Sequence, residues 1–368
     1  MISGRATPEG TRRFAERSAS APAHFRTTMG GLSLSSIGLG TYLGGADANI
    51  DAGYEASIAV ALASGVNVFD TAINYRGQKS ERAIGRALAK AFTEGRAARD
   101  EVFVSTKGGY LPDDAEDPDR RPTRRYWKDT FIATGVAPEA EIAQGCHCIS
   151  PGYLADQIER SRRNLGLDTI DLYYLHNVEA QLGEVGQTTF KKRLGAAVRR
   201  LEEAATDGWI AAWGLATWDG LRVPPEHPEH LSLAAILELA REIAGEGHHF
   251  RGVQLPFNLA MGEALGLRSQ ENGSERVSAL DFASTSGLAA FGSASILQGR
   301  LAGELPDEIV DAFPKAETSA QQALQFSRSA PGMTAALVGA SSVEHAEEDF
   351  ALARVEPAAA DTVLGLFR

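Results

Sequence analysis

The sequence predicts an α/β chain folded as one (β/α)8 TIM barrel, and three observations carry that reading. From Leu34 onward, short apolar runs with strand character alternate with runs of helical period. The alternation occurs eight times, the count of a closed parallel barrel rather than an open doubly wound sheet. No segment recurs at a fixed period, which argues against a solenoid.

Each element has its own signal. Ser36–Thr41 (SIGLGT) reads as the first strand, and the Ala-rich Tyr54–Ser64 as the first helix, closed by Gly65. Val66–Asp70 is the second strand, followed by Ser80–Phe92, whose Ile84, Leu88 and Phe92 share one helical stripe. Val102–Lys107, Ile170–His176, Ile210–Thr217, Gly252–Leu255, Leu288–Ser293 and Thr334–Val338 are the third to eighth strands. Between and after them, Tyr153–Leu165, Phe190–Ala205, Leu231–Ala244, Ser278–Ser286, Ser319–Ser329 and Ser342–Ala353 read as helices, with Gly208 ending the one that starts at Phe190. Two segments stand outside the scheme. His24–Leu34, rich in Gly and Thr, reads as an N-terminal β-hairpin closing the barrel floor. Residues 108–152 form a long Pro- and Asp-rich insertion after the third strand. An insertion that follows a strand lies at the barrel's C-terminal mouth, where chemistry is built. Residues 1–23 read as a disordered tail, so the domain reading is one barrel over 24–368 with 108–152 as an inserted active-site loop.

Composition narrows the function. The chain has 368 residues, 43% hydrophobic and 23% charged, ordinary for a globular protein with a sizeable core. Its net charge of −12 argues against sequence-independent nucleic-acid binding, which needs a basic face. A phosphate-bearing cofactor is still compatible, because local dipoles hold an anion inside an acidic protein. The two cysteines, Cys146 and Cys148, are one residue apart and make no disulfide framework. No apolar run approaches the ~20 residues of a membrane span. The first residues carry arginines but no apolar stretch of the kind a secretory signal needs, so a cytoplasmic location is expected.

Four residues carry the chemistry. Asp70, Lys107 and His176 end the second, third and fourth strands, and Tyr75 follows in the loop after Asp70. In a parallel barrel all strand C-termini face one rim, so these residues converge. Hydride addition to a carbonyl builds negative charge on its oxygen, which a proton donor must meet. A free tyrosine has a pKa of about 10 and is protonated at neutral pH. A neighbouring ammonium lowers that pKa, which would make Tyr75 a better acid in reduction and an accessible base in oxidation. Asp70 would hold Lys107, and His176 would donate a hydrogen bond to the carbonyl oxygen.

These residues, in FDTAINY, VSTKGG and DLYYLH, resemble the aldo-keto reductases in order and spacing from about Phe25 to Asp349. The resemblance implies a (β/α)8 barrel, NAD(P)(H) dependence, no metal, and the four roles just derived. Gly38-Leu39-Gly40-Thr41-Tyr42-Leu43-Gly44 is not a dinucleotide fingerprint, because its third glycine falls one position late. The resemblance instead places Gly40 and Thr41 beside the nicotinamide, and Gln254 on its carboxamide. Gly214–Trp218 (GLATW) departs from the family's polar pair, leaving Thr217 but not Ala216 as a donor. Ser293–Gly299 (SASILQG) resembles the loop covering the pyrophosphate, with Leu297, Gln298 and Gly299 as its contacts. Ser293 stands where the family usually has a stacking aromatic. Gly339, Ser341, His345 and Asp349 fall in the segment that resembles the 2′-phosphate and adenine site. His345 and Asp349 replace a frequent arginine and an asparagine, which weakens bidentate phosphate recognition. NADP(H) is expected, with NAD(H) as the alternative. The partner would be a small carbonyl compound or sugar, with no nucleic acid and no membrane.

Other features read as decoys or stay open. Cys146-His147-Cys148 is too closely spaced for a structural zinc pair. The acidic run Asp113–Asp119 reads as a solvated face. Tyr110, Tyr126, Trp127 and Phe131 either line a pocket or pin the insertion to the barrel. Arg222 and His230 are either substrate contacts or surface residues. The second functional reading is a cofactor-sensing regulatory subunit of the same fold with little turnover.

Overall fold

The computed structural model describes residues 1–367. Eight parallel strands close into a barrel, in hydrogen-bonded order Ile37–Gly40, Val68–Asp70, Phe103–Gly108, Leu172–His176, Trp213–Ala216, Phe250–Pro256, Ala289–Ser293 and Ala335–Gly339, which pairs back to the first. Each is one of the expected strands, shifted by a few residues at its ends. The helices between them cover the outside. Pairing Lys107 with Tyr174 and Leu175 with Leu215 sets the register that brings the strand ends to one rim. The interior is packed rather than hollow: Phe103 stacks on Phe291 at 5.7 Å, and Tyr174 meets Phe291 edge-on.

Below the interior, Phe25–Thr28 and Leu32–Ser35 form the expected antiparallel hairpin. Its Leu32 and Leu34 pack against Val68, Phe103, Leu172, Ala289 and Ala335, the starts of barrel strands, so the floor is closed by apolar contact. The first outer helix runs Ala48–Ala63, starting before the Ala-rich run, because Asp47 accepts the N–H groups of Asn49 and Ile50 as an N-cap. The helix after the fourth strand also starts early, at Glu179, and is interrupted at Gly186. Among the described residues no helix is long and apolar enough to cross a membrane.

The reading of residues 1–23 as a disordered tail is corrected. Pro8–Arg17 is a helix, capped by Thr7 with proline at its start. Its Phe14 is 2% exposed. Two of its arginines are ion-paired: Arg13 with Asp100 and Glu101, Arg17 with Glu101. Upstream, Ile2 exchanges backbone hydrogen bonds with Gly166 and Asp168, and the N–H of Ala6 donates to Asp171. Gly10 lets this helix touch the backbone of Asp100, where a Cβ would lie 2.2 Å from the carbonyl oxygen.

The insertion is ordered as well. Its ends zip together, Leu111 N–H to Cys146 and Cys148 N–H to Gly109. Leu111, Tyr126, Phe131, Ala137 and Cys148 pack with Tyr153 of the following helix in a small separate core. The acidic run is not simply solvated: Asp114 pairs with Arg82, and Asp117 with Arg121. Truncating Phe14 to alanine should cost about 3 kcal/mol of unfolding free energy, the usual price of emptying a buried aromatic site. Urea denaturation checks this, and a loss under about 1 kcal/mol would mean that the N-terminal helix is not part of the cooperative fold.

Candidate active site

A cavity of about 440 Å³ opens at the C-terminal ends of the strands. Asp70, Tyr75 and His176 line it. Lys107 lies beneath, 1% exposed. Its Nζ donates to Asp70 Oδ2 at 2.6 Å and to the Thr71 carbonyl at 2.7 Å, and sits 4.9 Å from the centroid of the Tyr75 ring. The other carboxylate oxygen of Asp70 accepts from Ser105 Oγ at 2.7 Å and Gln254 Nε2 at 2.9 Å. The rings of Tyr75 and His176 meet edge-to-face at 5.9 Å. The four residues named from the sequence are therefore in one place.

Burial sets their proton affinities. Burial pulls the Lys107 ammonium toward deprotonation, but Asp70 and, after it, Tyr75 together outweigh it, and the pKa is raised. The Tyr75 phenol is raised too. Burial dominates there, while Lys107 pulls the other way. The sequence pointed only to the ammonium; in this protein desolvation outweighs it. His176 is pushed well below the usual histidine range, first by burial and then by Lys107 and His147, so its imidazole is neutral.

Of the residues assigned to a cofactor, Gly40, Thr41, Thr217, Gln254, Ser293, Gln298 and Gly339 line the same cavity. Thr217 Oγ1 is buried without a hydrogen-bond partner among the described residues. Leu297 and Gly299 flank Gln298 on a loop whose backbone is left-handed at all three residues. Ser341, His345 and Asp349 stand off the cavity, beyond Gly339. Ser342 caps their helix by accepting the N–H of His345, which is exposed. Asp349 is buried, and burial pushes its carboxyl up to about 7.

Several cavity residues were missed by, or left open in, the sequence reading. Tyr42 and Trp218 line the cavity at its rim, 55% and 40% exposed. Asn74 and Asn177, each next in sequence to a named residue, also line it. The four insertion aromatics divide: Tyr110 lines the cavity, whereas Tyr126, Trp127 and Phe131 pin the insertion. Arg222 and His230 are not cavity residues. Arg222 is buried between Asp219 and Glu263, and His230 bonds the Ser269 carbonyl. His147, within the supposed metal motif, has both ring nitrogens partnered, by the His176 carbonyl and Gln181.

The sequence model of the aldo/keto reductase family matches residues 36–223, just over half of the chain. The chain belongs to the aldo/keto reductase family. It is 30% identical over 155 residues to a D-threo-aldose 1-dehydrogenase of Pseudomonas sp, covering 42% of this chain and 40% of that protein. It is 27% identical over 195 residues to an NADH-specific methylglyoxal reductase of Escherichia coli (strain K12), covering 51% and 50%. The matched stretch thus spans half or less of each of these curated relatives. Over its whole fold the family member resembles an aldo/keto reductase from Klebsiella pneumoniae solved with NADP and acetate, with TM-score 0.60, 20% identity, and 93% and 94% of the two chains covered.

The buried pair makes a stability prediction. Asp70→Asn leaves the Lys107 ammonium without its counter-charge, so the unfolding free energy should drop by about 3 kcal/mol. Chemical denaturation measures it, and a drop below about 1 kcal/mol would mean that the ammonium finds another partner.

Proposed function

We propose that this chain reduces an aldehyde or ketone, or oxidises the corresponding alcohol, using NADP(H), with NAD(H) as the alternative, and Tyr75 as the acid and base. The observation that carries the reading is the buried Asp70–Lys107 pair set under the Tyr75 ring in a cavity shared with His176. When bound, the nicotinamide supplies or accepts the hydride. Tyr75 gives its proton to the carbonyl oxygen as charge grows there. It holds that proton at neutral pH because burial keeps its pKa high, and the Lys107 ammonium stabilises the phenolate left behind. Asp70 fixes the ammonium. His176, being neutral, offers an N–H to the oxygen without competing to protonate it.

The cavity's donor set fits a nicotinamide. The unpartnered Thr217 hydroxyl and the Gln254 amide are suited to its carboxamide. Gly40, Thr41, Ser293 and Gly339 line the same cavity and would border the nicotinamide, and Tyr42 and Trp218 would offer the aromatic faces that Ser293 does not. Leu297, Gln298 and Gly299 would hold the pyrophosphate, and Ser341, His345 and Asp349 the adenosine end. Complexes of the Klebsiella relatives with NADP and NADPH support NADP(H). The NADH-specific relative supports the alternative, as does Val343–Phe350, which carries Glu344, Glu347, Glu348 and Asp349 but no arginine or lysine. The relatives' names favour a polar carbonyl substrate, an aldose or a small oxoaldehyde. Titrating protein fluorescence with NADPH and NADH, then assaying both against aldoses, aldehydes and ketones, tests the reading.

Tyr75→Phe should lower kcat for carbonyl reduction by about 10²–10⁴-fold with cofactor affinity kept. Normal turnover in that variant would defeat the mechanism. The pH profile follows from the same shifts. Reduction needs the protonated phenol and a neutral imidazole, so kcat should stay level from about pH 6 to about pH 9. It should fall only as pH rises through the raised pKa of Tyr75. Lys107→Met removes the charge that lowers this pKa, so in the residual activity the fall should move to still higher pH. A step in wild-type kcat near pH 6.5, where a free histidine titrates, would contradict the assignment.

A further inference from the structure

We propose that His147, carried by the insertion, is a positioning residue for His176. What His176 does rests on the carbonyl-reduction reading; how it is held rests on geometry. The His176 imidazole has little to fix it directly. Its Nδ1 is buried with no hydrogen-bond partner among the described residues. Its aromatic neighbours are Tyr75, at 5.9 Å, and Tyr110, at 5.1 Å and nearly perpendicular. The remaining restraint is its backbone, and His147 holds that. His147 Nε2 lies 2.6 Å from the His176 carbonyl oxygen. A carbonyl only accepts, so Nε2 carries the proton and Nδ1 is the acceptor. Gln181 Nε2 donates to that Nδ1 at 3.1 Å and to the His147 carbonyl at 2.9 Å, while Arg193 donates to Gln181 Oε1 and fixes the amide's orientation. Burial pushes the His147 pKa down to about 4, so Nδ1 stays free to accept from Gln181 through neutral pH.

His147 also reaches His176 by a second route. Its ring packs edge-on against Tyr110 at 5.0 Å, and Tyr110 in turn packs against His176. The Tyr110 hydroxyl accepts from Asn177 Nδ2 at 3.2 Å, tying the tyrosine to the neighbour of His176. The peptide between His176 and Asn177 is pinned at both ends: its carbonyl by His147, and its N–H by the Ala216 carbonyl at 2.6 Å. That peptide leads into Asn177 at φ 47°, a left-handed conformation that asparagine tolerates only at some cost. The contact requires Gly109, whose φ is +154°. A Cβ there would lie 2.7 Å from His147 Nε2 and 2.8 Å from the His176 carbonyl oxygen. A histidine serving the core alone would show none of this convergence on one cavity residue.

Two substitutions test the proposal. His147→Phe keeps a ring beside Tyr110 but cannot donate, whereas His147→Gln keeps an amide N–H near the position of Nε2. His147→Phe should lower kcat by about 10- to 100-fold, the cost of a small misplacement, with KM and cofactor Kd changed less than about 3-fold. His147→Gln should recover most of the loss. A His147→Phe kcat within about 2-fold of wild type, or a His147→Gln variant as impaired as His147→Phe at equal folded fraction, overturns the proposal. If wild type turns over no carbonyl compound, the functional reading fails and imidazole NMR judges the geometry. The same spectra decide if His147→Phe does not fold. In wild type, His147 should show a single Nε2–H tautomer with a protected proton, and His176 ring signals should be sharp. In His147→Gln the His176 signals should stay sharp. A rapidly exchanging His147 proton, an Nδ1–H tautomer, or broad His176 signals in wild type overturn the inference.

Discussion

Burying the Lys107 ammonium in a barrel interior would cost several kcal/mol if nothing met it. The mouth of this barrel is organised around meeting it. Asp70 supplies the counter-charge and the Thr71 carbonyl a second acceptor. Asp70 in turn is held on its other oxygen by Ser105 and Gln254, from the third and sixth strands. One ion pair therefore staples the second, third and sixth strands at their C-terminal ends, and the Tyr75 ring is laid over the charge. Had Asp70 been free to swing, the ammonium would have been left to deprotonate under the desolvation that surrounds it. The interaction that makes the cavity chemically useful is also the one its local fold cannot lose.

The insertion extends that frame to the other side of the cavity. The small core it builds against Tyr153 of the following helix makes it a folded segment rather than a loose loop. The short ladder that joins its ends delivers Tyr110 and His147 to the fourth strand's end. A long connection placed after a barrel strand can thus supply wall residues with the rigidity of the barrel, which loops achieve only when their ends are paired.

The strands were legible because each is a short apolar run bounded by turn residues. Asp70, Lys107 and His176 were legible because a parallel barrel sends every strand's end to one rim, so position along a strand translates into position in space. Other features needed three-dimensional information. The helix Pro8–Arg17 has a readable cap in Thr7-Pro8, but Phe14 is its one large buried side chain, too little to show a period. The spacing of Cys146-His147-Cys148 argues against a metal site but leaves His147 without a role until the ladder with Gly109–Leu111 turns it toward the His176 carbonyl. The net shift of Tyr75 depends on a competition between one charge and the depth of burial. Sequence names the charge but not the depth.

A third tie repeats the same logic at the rim. Glu179 is buried, and burial pushes its carboxyl pKa upward. Its Oε1 accepts the N–H groups of Trp218 at 2.7 Å and Asp219 at 3.2 Å. On the other face of the same turn, Arg222 Nε donates to the Trp218 carbonyl at 2.9 Å, with its charge balanced by Asp219 and Glu263. Trp218 can therefore remain partly exposed while its backbone is fixed from both sides. Asp70, His147 and Glu179 each set a buried polar group against a residue of the cavity. Each arrangement costs desolvation, which an apolar core would avoid. What the fold gains is a cavity whose groups are held in position before any ligand arrives, the pre-organisation that the proposed carbonyl reduction calls for.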